Sequence, residues 1–308
     1  MSFSTDIKNE VTRLDSSKEE LISELSAIVR NSADISDSIK IYIENNSVAR
    51  RIFKLFKNTY DISPIITVRK KFFNNGLSYI LTIKHKKEEI LDDLSIIKDN
   101  NYYNIPMEYI YSDEDLVRAY LRGLFLVTGS VNDPKTSRYH LEFLVDNLEY
   151  AKFINELLNN NDLNSKIIKR EKKYMIYIKE AEKISDFLRL IKAYNGVMYY
   201  EDIRIYRDHK NMTNRLNNCE QANIDKIFLT ASSQIRDINK LKEFDMLDLI
   251  DEKIKLVIDY RLKYPEASLG ELSDIISNET GNKITKSGLN HRFRKIREIV
   301  AKIENKSN

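Results

Sequence analysis

The fold is decided by the stretch Leu121-Arg122-Gly123-Leu124-Phe125-Leu126-Val127-Thr128-Gly129 and by a related earlier stretch, Leu25-Ser26-Ala27-Ile28-Val29-Arg30-Asn31-Ser32-Ala33. Each ends an amphipathic helical pattern that carries small residues four positions apart. These residues are Ser23 with Ala27, and Ala119 with Gly123. Small side chains one helical turn apart let two helix backbones approach closely. The two stretches therefore predict a pair of helices packed against each other.

Length and composition are those of an ordinary globular protein. The chain has 308 residues, 42% hydrophobic and 31% charged, which favours about two domains. No apolar run is long enough to span a membrane, and no signal-peptide pattern precedes the first helix. A single cysteine, Cys219, excludes an internal disulfide and is typical of a cytoplasmic protein. With a net charge of only +3, affinity for nucleic acid requires a local concentration of positive charge.

The front half of the chain carries an internal repeat. Segments 39–45 and 141–147 alternate apolar and polar residues, as half-buried strands do, and a helical pattern follows each. Segments 79–84 and 174–179 match in the same way, and Asn74-Asn75-Gly76 predicts a hairpin turn before the first of these. The order helix, strand, helix, strand, strand, helix thus occurs twice.

This duplication predicts a pseudo-symmetric α+β domain over residues 1–195, with repeats at about 18–98 and 113–195. Chance similarity between two ordinary α+β segments is the alternative. The pattern stops at 196–221, where asparagines accumulate, and this predicts a linker. That linker is either a solvated connector or a segment that contacts phosphate.

Residues 222–308 predict an all-α domain. An apolar stripe begins at Ile224 and continues to Ile238, and a second helix is expected over about 246–263. Ser268 and Glu271 form a capping box, in which each side chain satisfies the other residue's free backbone amide. Thr285 is a candidate cap for the final helix.

The final helix concentrates positive charge. Between residues 285 and 303, six basic residues and one acidic residue give a local charge of +5. Two helices joined by a turn, the second of them basic, predict a helix-turn-helix over about 268–301. A solvated basic helix face is the alternative. The candidate DNA-binding residues are Lys286, Ser287, Asn290, His291, Arg292, Arg294 and Lys295.

Four segments together resemble one known family. They are 1–10, 120–125, 217–226 and 285–292, and the last two are the most specific. Residues Thr285-Lys286-Ser287-Gly288-Leu289-Asn290-His291-Arg292 are similar to the recognition region of the WhiA family. The resemblance implies a bacterial DNA-binding regulator in which an all-α helix-turn-helix domain follows a duplicated, degenerate LAGLIDADG-like domain. It also implies a link to cell division, chromosome segregation or sporulation. The longer stretch 278–284 departs from the usual spacing.

The resemblance also identifies the positions at which an active nuclease of this fold carries its catalytic residues. Active LAGLIDADG endonucleases carry an acidic residue at the eighth position of each motif, and the two carboxylates hold divalent metal ions. Here those positions are Ser32 and Thr128, and the nearby Asp34 is matched by Ser130. Neutral hydroxyls do not supply the charge that Mg²⁺ requires. We therefore expect no catalytic residues, and an active homing endonuclease with displaced carboxylates is the remote alternative.

Nothing else in the sequence predicts an enzyme. Four scattered histidines and one cysteine predict no metal site, and the seven glycines form no phosphate-binding loop, so we expect no cofactor. The expected partner is double-stranded DNA, with other regulatory proteins as further candidates. We expect neither a membrane nor a small-molecule substrate as a partner. A cytoplasmic, nucleoid-associated protein is expected. The front domain either contacts DNA through its basic hairpins or serves as a protein-interaction module.

Overall fold

The computed structural model describes residues 2–70, 76–98, 101–136, 138–247 and 250–307. It divides into two compact units, Met1–Arg207 and Asp208–Asn308. Among the described residues, no helix is both apolar and long enough to cross a membrane.

Unit 1 contains the predicted duplication, with one short strand more per repeat than expected. After α1 (Phe3–Val11), the first repeat comprises α2 (Lys18–Ser32), β1 (Ala33–Ile35), β2 (Ile39–Ile43), α3 (Asn46–Tyr60), β3 (Ile65–Lys70), β4 (Leu77–Ile83) and α4 (Lys87–Asp93). Strands β5 (Ile97–Lys98) and β6 (Asn101–Tyr102) and a 3₁₀ turn (Glu108–Ile110) follow. The second repeat comprises α5 (Glu114–Thr128), β7 (Gly129–Val131), β8 (Leu141–Val145), α6 (Leu148–Asn159), β9 (Lys166–Arg170), β10 (Lys173–Ile178) and α7 (Ala181–Leu190).

The two repeats build equivalent antiparallel sheets. Their strand orders are β1-β2-β4-β3 and β7-β8-β10-β9, so the second sheet repeats the connectivity of the first. In β2 and β8 alternate residues are buried, as the period of two predicts. The predicted turn at Asn74-Asn75-Gly76 lies largely outside the described residues, since only Gly76 is described.

Helices α2 and α5 pack against each other at the centre of unit 1. Ser17 and Glu20 form a capping box at the start of α2, and Asp113 accepts a hydrogen bond from the Leu116 backbone at the start of α5. Both helices are buried along most of their length, and the two repeats share one hydrophobic core. This packing confirms the helix pair that the small residues predict.

The region predicted to be a linker is helical. Helix α8 runs without interruption from Tyr194 to Glu243, whereas the sequence pattern predicted helix only from about residue 222. Asparagine is a weak helix former but not a helix breaker, and no proline and no glycine after Gly196 occur in α8. The boundary between the two units nevertheless falls within the predicted stretch 196–221.

Unit 2 is all-α, as predicted. Its remaining helices are α9 (Glu252–Lys263), α10 (Leu269–Thr280) and α11 (Lys286–Ser307). Helix α9 begins later than the predicted residue 246, because Asp251 caps it by accepting a hydrogen bond from the Lys253 backbone. Ile238, Val257, Leu272, Ile276 and Ile296 are among the residues of its hydrophobic core. The apolar stripe on α8 contributes Ile238, but Ile224 and Phe228 are 59% and 63% exposed, so only its C-terminal part is buried.

Candidate nucleic-acid interface

The turn between α10 and α11 is held in one conformation by side chains of α10. Gly281 ends α10 in the left-handed region, with φ +71°. The Ser277 hydroxyl accepts a hydrogen bond from the Ile284 backbone amide at 3.0 Å, and the Ser273 hydroxyl donates to the Ile284 carbonyl at 2.7 Å. The Thr285 hydroxyl then accepts from the Gly288 amide at 3.1 Å and caps α11, as predicted. These bonds fix the direction in which α11 begins.

The start of α10 is fixed equally well. The predicted capping box is present: the Glu271 amide donates to the Ser268 hydroxyl at 3.2 Å, and the Ser268 amide donates to the Glu271 carboxylate at 2.7 Å. Because these bonds favour the ionised form, the pKa of Glu271 is lowered. The buried Arg261 donates to the Ala267 carbonyl at 2.6 Å and lies over the Phe293 ring of α11. Arg261 thereby joins the chain before α10 to α11.

Helix α11 buries the face that its apolar spacing predicts. Leu289, Phe293, Ile296 and Val300 are buried, and Ile303 packs partly buried against the same core. Six of the seven candidate DNA-binding residues lie on the exposed remainder of the helix: Lys286, Ser287, Asn290, His291, Arg294 and Lys295. Nδ1 of His291 lies 3.3 Å from an Arg294 guanidinium nitrogen.

Arg292 is the exception among the candidates. It is only partly exposed, and its Nη1 atom is buried without a hydrogen-bond partner among the described residues. Arg292 directly precedes the buried Phe293, which places the start of its side chain at the edge of the core. Arg292 therefore stays a predicted DNA contact, with a less exposed side chain than the other six candidates.

Two ion pairs join the second half of α11 to α8 inside unit 2. Arg297 donates to the Asp237 carboxylate at 3.4 Å and to the Ser233 hydroxyl at 3.2 Å, both on α8. Lys240 of α8 forms an ion pair with Glu304. Arg297 thus has an acidic partner on α8, while four of the six basic residues of segment 285–303, Lys286, Arg292, Arg294 and Lys295, lie in the first half of α11.

The degenerate motif positions in unit 1 form no acidic pair. The Ser32 hydroxyl donates to the Ile28 carbonyl at 2.6 Å, and the Thr128 hydroxyl donates to the Leu124 carbonyl at 2.9 Å. Each hydroxyl is thus bound within its own helix. Asp34 lies on β1 opposite Lys40 of β2. Within the described part of the chain, no group of three or more His, Cys, Asp or Glu side chains is arranged to hold a metal ion.

A buried ion cluster between α2 and α5 was not predicted from the sequence. The Glu24 carboxylate accepts hydrogen bonds from Arg51 at 3.0 and 2.8 Å and from Arg122 at 3.0 Å. Ser16 accepts a further bond from each arginine. Glu24 is fully buried, and Arg51 and Arg122 are 7% and 1% exposed. The only signal in the sequence is a charged residue on each otherwise apolar helix face.

The basic residues of the two hairpins in unit 1 are exposed, on the strands or, for Lys172, in the turn between β9 and β10. They are Arg69 and Lys70 in the first repeat and Lys166, Lys169, Arg170, Lys172 and Lys173 in the second, while Lys71 lies outside the described residues. Lys173 pairs with Asp146 at 3.0 Å, and Arg170 approaches Glu142 at 3.9 Å. Part of this charge is therefore neutralised locally.

Three family profiles match the chain in succession. The WhiA N-terminal LAGLIDADG-like domain matches residues 18–97, and the WhiA LAGLIDADG-like domain matches residues 117–210. The WhiA C-terminal helix-turn-helix domain matches residues 213–300. These matches follow the two repeats and the helical unit in order.

Known proteins agree with this arrangement. A protein of Bacillus mycoides named "Probable cell division protein WhiA" is 43% identical over 311 residues, covering 98% of this chain and 97% of its own. The protein of the same name from Staphylococcus carnosus is 40% identical and covers 98% of both chains. The crystal structure of full-length WhiA from Thermatoga maritima has a TM-score of 0.59 at 24% identity, covering 98% of this chain and 99% of that one, and so has the same fold. Because relatives at 40% and 43% identity match end to end and all three domain profiles occur in order, the chain belongs to the WhiA family.

Proposed function

We propose that this protein is a sequence-specific DNA-binding regulator without nuclease activity. The observation that carries the proposal is the first half of α11, where exposed polar and basic side chains follow a turn held by Ser273 and Ser277. The early residues of a recognition helix face base edges in the major groove. Asn290 is suited to a bidentate contact with adenine, and Arg294 to one with guanine.

Electrostatics support contact with the phosphate backbone. Segment 285–303 has a charge of +5 in a chain whose total is +3, so the rest of the protein is slightly acidic. Lys286 and Lys295 are exposed and lie on either side of the residues proposed to read bases. Lysines in such positions bind phosphates and fix the register of the helix, at a salt-dependent affinity.

The chemistry of the motif positions supports the absence of cleavage. Hydrolysis by LAGLIDADG enzymes requires a carboxylate pair that holds divalent metal, and the hydroxyls of Ser32 and Thr128 instead bond within their own helices. Purified protein with Mg²⁺ or Mn²⁺ is expected to leave a supercoiled plasmid intact. Linearisation of that plasmid would overturn this part of the proposal.

The biological setting is proposed from the relatives. Two of them carry the name "Probable cell division protein WhiA", so we propose that this protein regulates genes of cell division. Chromosome segregation and sporulation are further settings in which the same DNA-binding activity would act. The protein is proposed to work at the nucleoid in the cytoplasm.

Selection of fragmented chromosomal DNA by the full-length protein tests the proposal. The wild type is expected to enrich a common motif at physiological salt, where non-specific affinity is weak. The double variant Asn290→Ala/His291→Ala is expected to lose that motif, because it removes two early side chains of α11 that are proposed to face base edges. Both side chains are exposed and neither contributes to the core, so the fold is expected to stay intact. Lys253→Ala, which removes an exposed basic side chain of α9, is the matched control and is expected to keep it.

The outcome separates base reading from phosphate binding. Lys295→Ala is expected to weaken binding to all fragments alike, since a phosphate contact carries no sequence information. Enrichment without a motif, or a motif that survives Asn290→Ala/His291→Ala, would contradict the assignment of α11 as the reader.

A second candidate function concerns the front domain. Tyr42 of β2, Ile65 of β3 and Ile168 of β9 are large apolar side chains on open strands and are 48%, 55% and 49% exposed. Such side chains favour protein–protein contact over phosphate contact. A Tyr42→Glu variant that keeps DNA selection but fails to complement a deletion in cells would support an interaction module.

A further inference from the structure

Within the described residues of unit 2, the middle of α8 has no packing partner. From Asp208 to Thr230 every side chain is exposed, and all of these residues belong to unit 2. Several of them are weak helix formers: Asn211, Thr213, Asn214, Asn217, Asn218 and Asn223. A lone helix of this length is marginal in water, because most helical stability in proteins comes from packing of an apolar face. We therefore expect one face of the segment to pack against a partner.

One face of this segment has the spacing of a helix-pairing surface. Met212, Leu216, Cys219 and Asn223 follow each other at steps of four, three and four residues, so they lie on one side of the helix. Met212 and Leu216 are 63% and 55% exposed, and Cys219 is exposed as well. Met212, Leu216 and Cys219 therefore form an exposed stripe, the pairing face, along this side of α8.

The charges beside this face indicate which partner it fits. With Leu216 and Cys219 at the a and d positions of a heptad, Arg215 occupies g and Glu220 the following e. In a parallel pair, the g residue of one helix lies beside the next e residue of the other. Arg215 of each copy then meets Glu220 of the other, with opposite charge and two-fold symmetry. Asn223 falls at the next a position, where a polar residue fixes register and favours two strands.

Nucleic acid fits the segment less well. Between Asp208 and Leu229 three basic and three acidic residues balance: Lys210, Arg215 and Lys226 against Asp208, Glu220 and Asp225. Binding to phosphate depends on an excess of positive charge, which this segment lacks.

We propose that residues 209–223 of α8 pair with the same segment of a second copy of this chain as a short, parallel, two-stranded coiled coil. The contact contains few a and d layers, so the dimer forms and dissociates within the micromolar concentration range. It does not depend on DNA, and its test is separate from that of DNA recognition.

Sedimentation velocity of the full chain over the micromolar range tests the pairing. The wild type is expected to approach twice its monomer mass as concentration rises, whereas Leu216→Lys is expected to remain monomeric. Since Leu216 is exposed, its replacement does not disturb the fold of the single chain. Asn217→Lys introduces the same charge one residue away on a different side of the helix and is expected to dimerise like the wild type. A monomeric wild type, or equal dimerisation of both variants, would overturn the proposal.

Two further measurements test orientation and register. Arg215→Glu is expected to weaken the dimer about tenfold by placing like charges together, and Arg215→Glu/Glu220→Arg is expected to restore it. A short bis-maleimide is expected to join Cys219 to its counterpart in the other copy, because packed helix axes lie about 8–10 Å apart. Parallel pairing would be ruled out by a dimer whose affinity is the same in wild type and Arg215→Glu, or by a dimer that does not cross-link through Cys219. Loss of DNA binding by Arg215→Glu in a protein that stays monomeric would identify the segment as a nucleic-acid contact instead.

Discussion

Gly123 of α5 lies against the backbone carbonyl of Glu24 in α2, so closely that a methyl group at position 123 would be 2.4 Å from that oxygen. The next side chain, Arg122, donates to the carboxylate of the same Glu24 at 3.0 Å. A close backbone contact and a buried ion pair therefore join the two helices through consecutive residues. The geometry of the helix pair depends on both.

Replacing Gly123 by alanine is expected to force α2 and α5 apart. The atoms that an added methyl group would meet are backbone atoms of Glu24, which do not move aside easily. We expect unit 1 to lose about 1–3 kcal/mol of unfolding free energy or more, as in other overpacked cores. Urea unfolding followed by circular dichroism measures this change.

Gly270→Ala is the control for that substitution. A methyl group at residue 270 would have only the Ser268 hydroxyl within 4 Å, at 3.7 Å, so Gly270→Ala is expected to be neutral or slightly stabilising. Equal stability of Gly123→Ala and wild type would contradict the close contact.

Glu24→Gln is expected to be among the most destabilising single changes in unit 1. The carboxylate binds the two buried guanidinium groups of Arg51 and Arg122. Glutamine removes this shared counter-charge and leaves Arg122 with the more distant Glu20 carboxylate at 3.6 Å. Breaking a buried pair in this way costs about 3–5 kcal/mol. Glu114→Gln removes a partner of Arg118 that is 75% exposed, and such surface pairs are worth below about 1 kcal/mol. Chemical denaturation of both variants compares the two, and similar losses would contradict the buried cluster.

The turn before α11 gives a prediction for unit 2. Gly281 has φ +71°, so Gly281→Ala is expected to cost about 1 kcal/mol through backbone strain alone. Gly288 lies inside α11, where an added methyl group meets only the Thr285 hydroxyl oxygen at 3.4 Å, and Gly288→Ala is expected to match or exceed wild-type stability. Hydrogen exchange of the Ile284 amide, which is bonded to Ser277, follows the turn directly. Unchanged exchange in Gly281→Ala would show that the turn does not require this residue.

Local patterns in the sequence were sufficient to predict much of this fold. The strand alternation and the capping box of Ser268 and Glu271 depend on residues a few positions apart, and the structure confirms both. The duplication was predictable because each repeat carries the same order of patterns. The positions of Ser32 and Thr128 follow from the motif itself.

Other features depend on contacts that no local pattern encodes. Glu24, Arg51 and Arg122 are far apart in the chain, and only the packed helices bring them together. The partial burial of Arg292 depends on the rotation of α11 about its axis, which the core residue Phe293 sets. The asparagines of α8 favour a loop by composition, yet nothing in the sequence interrupts the helix there.

Lys8 gives a prediction for the dependence of stability on pH. Burial lowers the pKa of Lys8 from 10.5 to about 8, and its ammonium group lies 5.5 Å from the centre of the Phe125 ring. Between these two pH values the folded protein binds fewer protons at this site than the unfolded chain, so this lysine makes stability rise with pH across that window. Below pH 8 the Lys8 amine is charged in the folded state as well, so the unfavourable free energy of burying that charge is at its maximum. Lys8→Met is therefore expected to stabilise unit 1 at pH 7 by about 1–3 kcal/mol, allowing for the partial exposure of the side chain and its contact with the ring.

The gain from Lys8→Met is expected to shrink as the pH rises from 7 to 9.5, because the wild-type amine then loses its charge in the folded state. Urea unfolding of both proteins at several pH values measures this difference. Lys18→Met, at an exposed position at the start of α2, is the control for loss of one positive charge. A difference between Lys8→Met and wild type that stays constant with pH would mean that Lys8 keeps its ordinary pKa, because solvent reaches the amine in spite of its contact with Phe125.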